Sequence, residues 1–345
     1  MINFSDIFGD EKSKYKKKKE PRGIDFSSLE KERASLNKDK SEEAISQDKI
    51  PRVSSQEEKE AEELYRRSVL LAEKIFNSDI TASSVNEVRK LVETLVAFSK
   101  NTNQVFFEYV FGRLPYEVDF MPLNLVNVCI LAIEIGEALG YNDAQLVTLG
   151  MGAFLHDIGM RQFGDLLSQP RSLTDSEKQR IRKHPLIGVE KLRFIQVGLE
   201  PLVLGIVEQE HERADGSGYP YGLKKDEINE YSQIVGLADV YEALTHMRPY
   251  RNSYSPLEAI KIILREKNLF NPRITKAFLE RIGLYPKGTF VELNTKEIAQ
   301  VIGQNRQMPS CPYIRVVYDY EGKKLDKSKE IDLSKNTKIY IVRSL

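Results

Sequence analysis

The sequence predicts a mainly α-helical fold that carries a small β-rich C-terminal appendage. Three observations predict it. From about Glu57 apolar residues recur at helical spacing for over 200 residues, helix-start and helix-stop signals punctuate that stretch, and after Pro286 the period switches to that of strands. Charge density marks a further boundary, with 28 charged residues in positions 1–60 against 74 in the remaining 285. A segment that charged, with few apolar side chains, buries too little surface to offset its ordering entropy. The expected divisions are a disordered charged tail over 1–56, an N-terminal helical segment over 57–120, a helical body over 121–285 and a β-rich subdomain over 286–345. The run Lys16 to Lys19 reads as part of the solvated tail, because neighbouring acidic residues cancel its charge.

The elements follow in order. Leu64, Val69, Leu70 and Ile75 trace a first helical face. Ser84 and Glu87 read as a capping box that opens a helix through Leu95. Leu125 to Leu139 forms an amphipathic helix closed by Gly140, and a second helix runs from Asp143 to His156. Thr174 and Glu177 make another capping box, and Pro185 after His184 marks a break. Helices over Leu202 to His211 and Ile234 to Thr245 flank a glycine-rich loop, Asp215 to Gly222, and Ser255-Pro256 opens a further helix. Strands are expected at Thr289–Leu293, Ile314–Tyr320 and Lys338–Val342, with turns at Glu321-Gly322 and Lys335-Asn336.

Composition excludes several classes. Fifty-one basic residues balance 51 acidic ones, so no global basic excess argues for DNA or RNA as a partner. Two cysteines, Cys129 and Cys311, supply neither a disulfide framework nor a clustered metal site. No apolar run reaches the length of a membrane span, and the acidic N-terminus lacks the features of a signal peptide. A cytoplasmic location is expected.

The four histidines all lie between positions 156 and 246. His156-Asp157, His184, His211 and Asp239 are separated by steps of 28, 27 and 28 residues, about one helix and its connection each. A helical bundle brings one ligand per helix to a common centre in this way. The two oxygens of Asp157 suit it to bridge two ions, and mixed imidazole and carboxylate ligation favours manganese, iron or zinc over calcium or magnesium.

The segments around these positions are Phe154-Leu155-His156-Asp157-Ile158-Gly159, Lys183-His184-Pro185, Glu210-His211 followed by Gly218-Tyr219-Pro220, Ala238-Asp239 through Thr245, and Arg248-Pro249-Tyr250-Arg251. Together they closely resemble the HD-GYP family of the HD phosphohydrolase superfamily, over roughly residues 60–285. The resemblance implies an HD-type helical bundle with a centre of two or three metals, two being expected here, of manganese or iron with zinc as an alternative. It implies hydrolysis of cyclic di-GMP to linear pGpG and, in some members, onward to GMP. Carried over by position, it makes His156, Asp157, His184, Glu210, His211 and Asp239 metal ligands and Asp157 the catalytic bridge. It assigns substrate phosphate to Arg248 and Arg251. Gly218, Tyr219 and Pro220 fall on a loop that the resemblance associates with a diguanylate cyclase domain as partner.

Three positions depart from the family pattern. Asn124 stands at a histidine ligand position, Glu210 replaces the first of two adjacent histidines, and Met160 replaces a lysine. Asn124 is expected to face the site and give a weak oxygen contact or hold a water, so that Asn124→His raises metal occupancy. These departures leave open a second reading, a degenerate module that binds nucleotide or a signalling partner without turnover. Glu212 either orients His211 or serves elsewhere, Asp215 reads as a turn initiator, and His246 is expected at the surface.

Overall fold

Leu64, Val69, Ala72 and Ile75 are buried on one face of helix α1 (Ser55–Asn77), whereas Leu70 points to solvent. The computed structural model describes residues 55–101, 105–111, 119–167, 169, 171, 173–195, 198–246, 253–305 and 308–345. The expected tail over 1–54 therefore lies outside the described residues, as do Arg248 and Arg251.

Helix α2 (Ala82–Asn101) starts earlier and ends later than expected. Its opening bonds are reciprocal between Thr81 and Ser84, so Ser84 answers a cap three residues upstream and Glu87 is left to pair with Lys74 across α1 and α2. A short helix α3 (Phe107–Phe111) precedes α4 (Phe120–Ala138), whose residues are buried almost all round. Sequence reading gave α4 one apolar stripe, yet it packs against α1, α5 (Asp143–Leu155), α10 (Glu230–Thr245) and α12 (Pro272–Ile282), which cover every side. Its length and hydropathy would suit a membrane, but 83% of the apolar window is buried inside the protein, as a bundle's central helix should be.

Beyond α5, a 3₁₀ turn (Ile158–Phe163) leads to α6 (Gly164–Leu167), α7 (Asp175–Ile181) and α8 (His184–Phe194). The Thr174–Glu177 capping box forms as expected, and the chain breaks before His184 with Pro185 in the first turn of α8. Helix α9 (Pro201–Gln209) and α10 flank the glycine-rich loop, and α11 (Pro256–Arg265) opens on a Ser255–Glu258 capping box. One apolar core runs through these helices from Ala61 to Ile282.

The C-terminal strands form one antiparallel sheet in the order β4-β3-β2-β1-β5: β1 (Phe290–Leu293), β2 (Ile298–Gly303), β3 (Tyr313–Tyr318), β4 (Lys324–Asp332) and β5 (Ile341–Ser344). Val291, Leu293, Ala299, Val301, Ile314 and Val316 fill a second, separate core under it. Strands β2 and β4 were not expected, and β5 begins three residues later than expected. The sheet meets the bundle through an ion pair of 2.8 Å between Lys287 and Glu108.

Candidate metal centre

The expected ligand residues converge. His156 caps the C-terminal end of α5, Asp157 follows it, His184 opens α8, and Glu210 and His211 close α9. Asp239 alone sits within a helix, on α10. All six are buried. Ligand atoms of Asp157, His184, Glu210 and His211 lie within 4.8 Å of one another. His184 Nε2 stands 3.0 Å from Asp157 Oδ1 and 3.0 Å from His211 Nε2, and His211 Nε2 is 2.7 Å from Glu210 Oε1. On the other side, His156 Nε2 is 3.4 Å from Asp157 Oδ2 and 3.8 Å from Asp239 Oδ1.

The backbone fixes which nitrogen each imidazole offers. His156 Nδ1 lies 2.7 Å from the Ala153 carbonyl and His184 Nδ1 lies 2.9 Å from that of Ile181. A carbonyl only accepts, so each Nδ1 carries a proton and each Nε2 is the nitrogen that faces the site. Such an outer bond is the usual orienting device of a metal-binding histidine. Glycine makes the arrangement possible. A Cβ on Gly159 would sit 2.0 Å from the His184 carbonyl oxygen, so only glycine lets the 3₁₀ turn approach α8 this closely.

The donor set passes a test of fit to a cation. His156 Nε2 and Glu210 Oε2 are buried with no hydrogen-bond partner among the described residues. Burying a carboxylate oxygen and an imidazole lone pair unpaired is costly unless a positive charge completes them. The cluster substitutes protons for that charge. Burial works against charging His156, but the Asp157, Asp239 and Glu210 carboxylates outweigh it and raise the imidazole to about 10. His184 is raised to about 9, with Asp157 and Glu210 again outweighing burial. Burial opposes ionisation of Glu210 and of Asp157, yet the adjacent histidines hold Glu210 at about 2 and Asp157 well below the usual carboxylate range. Burial raises Asp239 to about 6, helped by Glu210 and Asp157, and lowers His211 to about 4.

Glu212, left open by the sequence, turns away from His211. Its carboxylate accepts backbone N–H bonds from Tyr221 (2.7 Å), Gly222 (3.1 Å) and Leu223 (2.9 Å), and so ties down the glycine-rich loop. That loop carries Tyr219, whose ring stacks on the His211 imidazole at 4.6 Å, with the Arg182 guanidinium 5.4 Å from the same ring. A Cβ on Gly218 would lie 2.5 Å from backbone atoms of His211, Glu212 and Arg213, which explains the glycine before Tyr219. Pro220 follows in a cis peptide. Asp215 initiates a turn through Ser217 N–H, as expected.

Three expectations need correction or restriction. Asn124 faces the site with its N–H₂ group donating to Asp239 and Glu242, and its oxygen is buried without a partner among the described residues. His246 is half-buried, bonded to the Val110 carbonyl at 2.8 Å, because α3 covers the end of α10. Met160 is buried in an apolar cluster with Met121, Phe163, Leu166 and Ile181. Glu242 was not picked out from the sequence. Its spacing three residues after Asp239, which puts both on one helix face, was the available signal.

A helical bundle with imidazoles and carboxylates gathered at helix ends around a buried centre defines a metal-binding helical domain. The chain belongs to the HD-domain family, whose profile matches residues 76–274, and residues 290–345 match a KOW domain associated with the HD domain. HD domains are metal-dependent, and the buried cluster is where a metal fits. The chain is 30% identical over 224 residues to a cyclic di-GMP phosphodiesterase of Pseudomonas aeruginosa, covering 65% of this chain and 54% of that protein. It is 38% identical over 152 residues to a cyclic di-GMP phosphodiesterase response regulator of Xanthomonas campestris pv. campestris, covering 42% and 39%. The chain thus spans about half the length, or less, of these curated relatives. Among solved structures, an HDG"Y"P protein from Bdellovibrio bacteriovorus shares the fold with a TM-score of 0.54 and 19% identity, over 66% of this chain and 73% of that one.

Proposed function

We propose that the protein is a metal-dependent phosphodiesterase that opens a cyclic dinucleotide, cyclic di-GMP first, to the linear pGpG and onward to GMP. One observation carries the reading. The two oxygens of Asp157 face two different groups, Oδ1 towards His184 and Oδ2 towards His156, with Glu210 and His211 on the first side and Asp239 on the second. That is the arrangement a bridging carboxylate needs. The similarity to enzymes named for cyclic di-GMP supports the substrate, and a substrate of that kind supports a cytoplasmic location.

In this reading His156, Asp157 and Asp239 would hold one divalent cation, and Asp157, His184, Glu210 and His211 would hold the other, as manganese or iron with zinc as the alternative. A bound pair would neutralise phosphate oxygens and supply hydroxide near neutral pH. The chain's own work is positional. Ala153 and Ile181 aim two imidazoles through their carbonyls, and Tyr219 walls the site over His211; Arg248 and Arg251 are assigned to the phosphate by the family pattern, where forked hydrogen bonds would hold it. We also propose the division of the chain at residues 56, 120 and 285, with 121–285 as the phosphohydrolase unit, and the loop at Gly218-Tyr219-Pro220 as a contact for a diguanylate cyclase domain.

The degenerate, binding-only reading is favoured by Met160, since an apolar cluster stands where the family pattern has a lysine. One experiment separates the two. Protein loaded anaerobically with Mn²⁺ or Fe²⁺ is incubated with cyclic di-GMP, and products are resolved by chromatography. The proposal expects linear dinucleotide, abolished by EDTA and by Asp157→Ala. Binding of the nucleotide without product over hours would establish the degenerate module.

A further inference from the structure

Beside the cation site lies a buried polar chain that the proposed reaction does not use. Asn124 and Asn127, three residues apart on α4, face Asp239 and Glu242, three residues apart on α10, and all four are buried. Asn124 Nδ2 donates to Asp239 Oδ1 at 3.0 Å and to Glu242 Oε2 at 2.8 Å. Both partners are carboxylate oxygens, so the amide must turn its N–H₂ group towards them, which fixes its orientation. Asn127 Nδ2 donates to the other Glu242 oxygen at 3.3 Å. Its own oxygen accepts from the Tyr65 hydroxyl of α1 at 2.8 Å. His246, within 3.4 Å of Glu242 Oε1, carries the chain on to the Val110 carbonyl.

Two carboxylates one helical turn apart in a buried site repel each other and would splay. Donors from α4 hold them together, two from a single amide. The N–H₂ group of the residue standing at a metal-ligand position is thereby committed to the two carboxylates, while its oxygen is buried without a partner among the described residues. We propose that Asn124 and Asn127 form an amide clamp that positions the Asp239 and Glu242 carboxylates, so that Asn124 serves the cation site as a positioning residue through its N–H₂ group. The inference rests on the reading of Asp239 as a ligand. It also gives α1 a part in the site, because Tyr65 orients Asn127.

The test uses the full chain and Mn²⁺ alone, with bound metal measured by equilibrium dialysis and elemental analysis, and melting followed on the metal-free protein. Asn124→Ala removes the donors, and Asn124→His installs a ligand-type side chain that has no N–H₂ group to share between two carboxylates. Both are expected to weaken one equivalent of Mn²⁺ by about 10–100-fold, the range for groups that orient ligands. The second equivalent keeps its affinity. Tighter binding or an added equivalent in Asn124→His would restore Asn124 as a ligand position and overturn the clamp. So would wild-type affinity in Asn124→Ala. Should either variant fail to fold without metal, Tyr65→Phe decides, since it deletes only the far hydroxyl. A several-fold loss of Mn²⁺ affinity in protein that remains folded without metal supports the clamp, and unchanged affinity ends it. A wild-type protein that takes up no Mn²⁺ defeats instead the reading of Asp239 as a ligand.

Discussion

Glu212→Gln isolates the part of the site that holds its loop. In the native protein one buried carboxylate accepts three backbone N–H groups within 3.1 Å, from Tyr221, Gly222 and Leu223. Glutamine keeps the length but offers one oxygen in place of two and turns an N–H₂ group against a backbone donor. At least one bond is lost and the survivors lose their charge assistance. A hydrogen bond to a charged group contributes about 1.5–3 kcal/mol, so the loop should open more easily by at least that amount. Converted at 1.4 kcal/mol per decade, amide exchange at residues 221–223 should accelerate about 10–100-fold, measured by hydrogen exchange with mass or NMR detection. Tyr219 rides on the same loop, so its stacking on His211 should loosen in parallel. Native protection of these three amides in a folded Glu212→Gln protein would refute the assignment of Glu212 as the loop's anchor.

The remaining expectations are briefer. Gly159→Ala should lower Mn²⁺ affinity and cost about 1–3 kcal/mol or more in urea unfolding, because its Cβ meets the His184 backbone, where no rotamer relieves the clash. Metal uptake at pH 7.5 should release protons, seen as a buffer-dependent enthalpy in calorimetry, because His156 and His184 lie near 10 and 9 without metal and must be neutral to ligate. Both values exceed the ordinary 6.5, so the charged pairs stabilise metal-free protein fully below that pH and fade as pH rises towards 9–10. The metal-free melting temperature should fall across that window, and a flat profile would contradict the pairing. Met160→Lys should destabilise, by about 4–5 kcal/mol at pH 7 if burial lowers the new amine by the 3–5 units typical of full burial. It should not restore a phosphate contact, because its neighbours are Met121, Phe163 and Leu166.

Much of the centre was legible because each ligand lies in a short, distinctive stretch of chain. His156-Asp157, His184-Pro185 and Glu210-His211 could be read without knowing what they face. What escaped depended on partners far along the chain or on the backbone. The role of Glu212 rests on three peptide N–H groups 9–11 residues ahead, which carry no side-chain signature. Sequence places Asn124 at the site but cannot show which end of the amide looks inward. His246 was read as exposed because its carbonyl partner, Val110, lies 136 residues away. Strand β4, Lys-Leu-Asp-Lys-Ser-Lys-Glu-Ile-Asp, was missed because as an edge strand its burial falls to a few residues such as Ile331, leaving little apolar alternation. The cap of α2 was misplaced because Thr81 and Ser84 are equally good capping residues.

Four of the expected ligand-bearing positions terminate or begin a helix, at the ends of α5, α8 and α9, while Asp239 is held within α10. Helix ends are where a helix frays first, and a domain normally keeps them at its rim. Here they meet at the centre, where His156 and His184 hold borrowed protons against the surrounding carboxylates. In the metal-free protein these ends are therefore held by ion pairs among buried side chains rather than by the solvent that helix ends usually meet. Ligation would turn that inner seam into a rivet joining the ends of α5, α8 and α9 to the middle of α10.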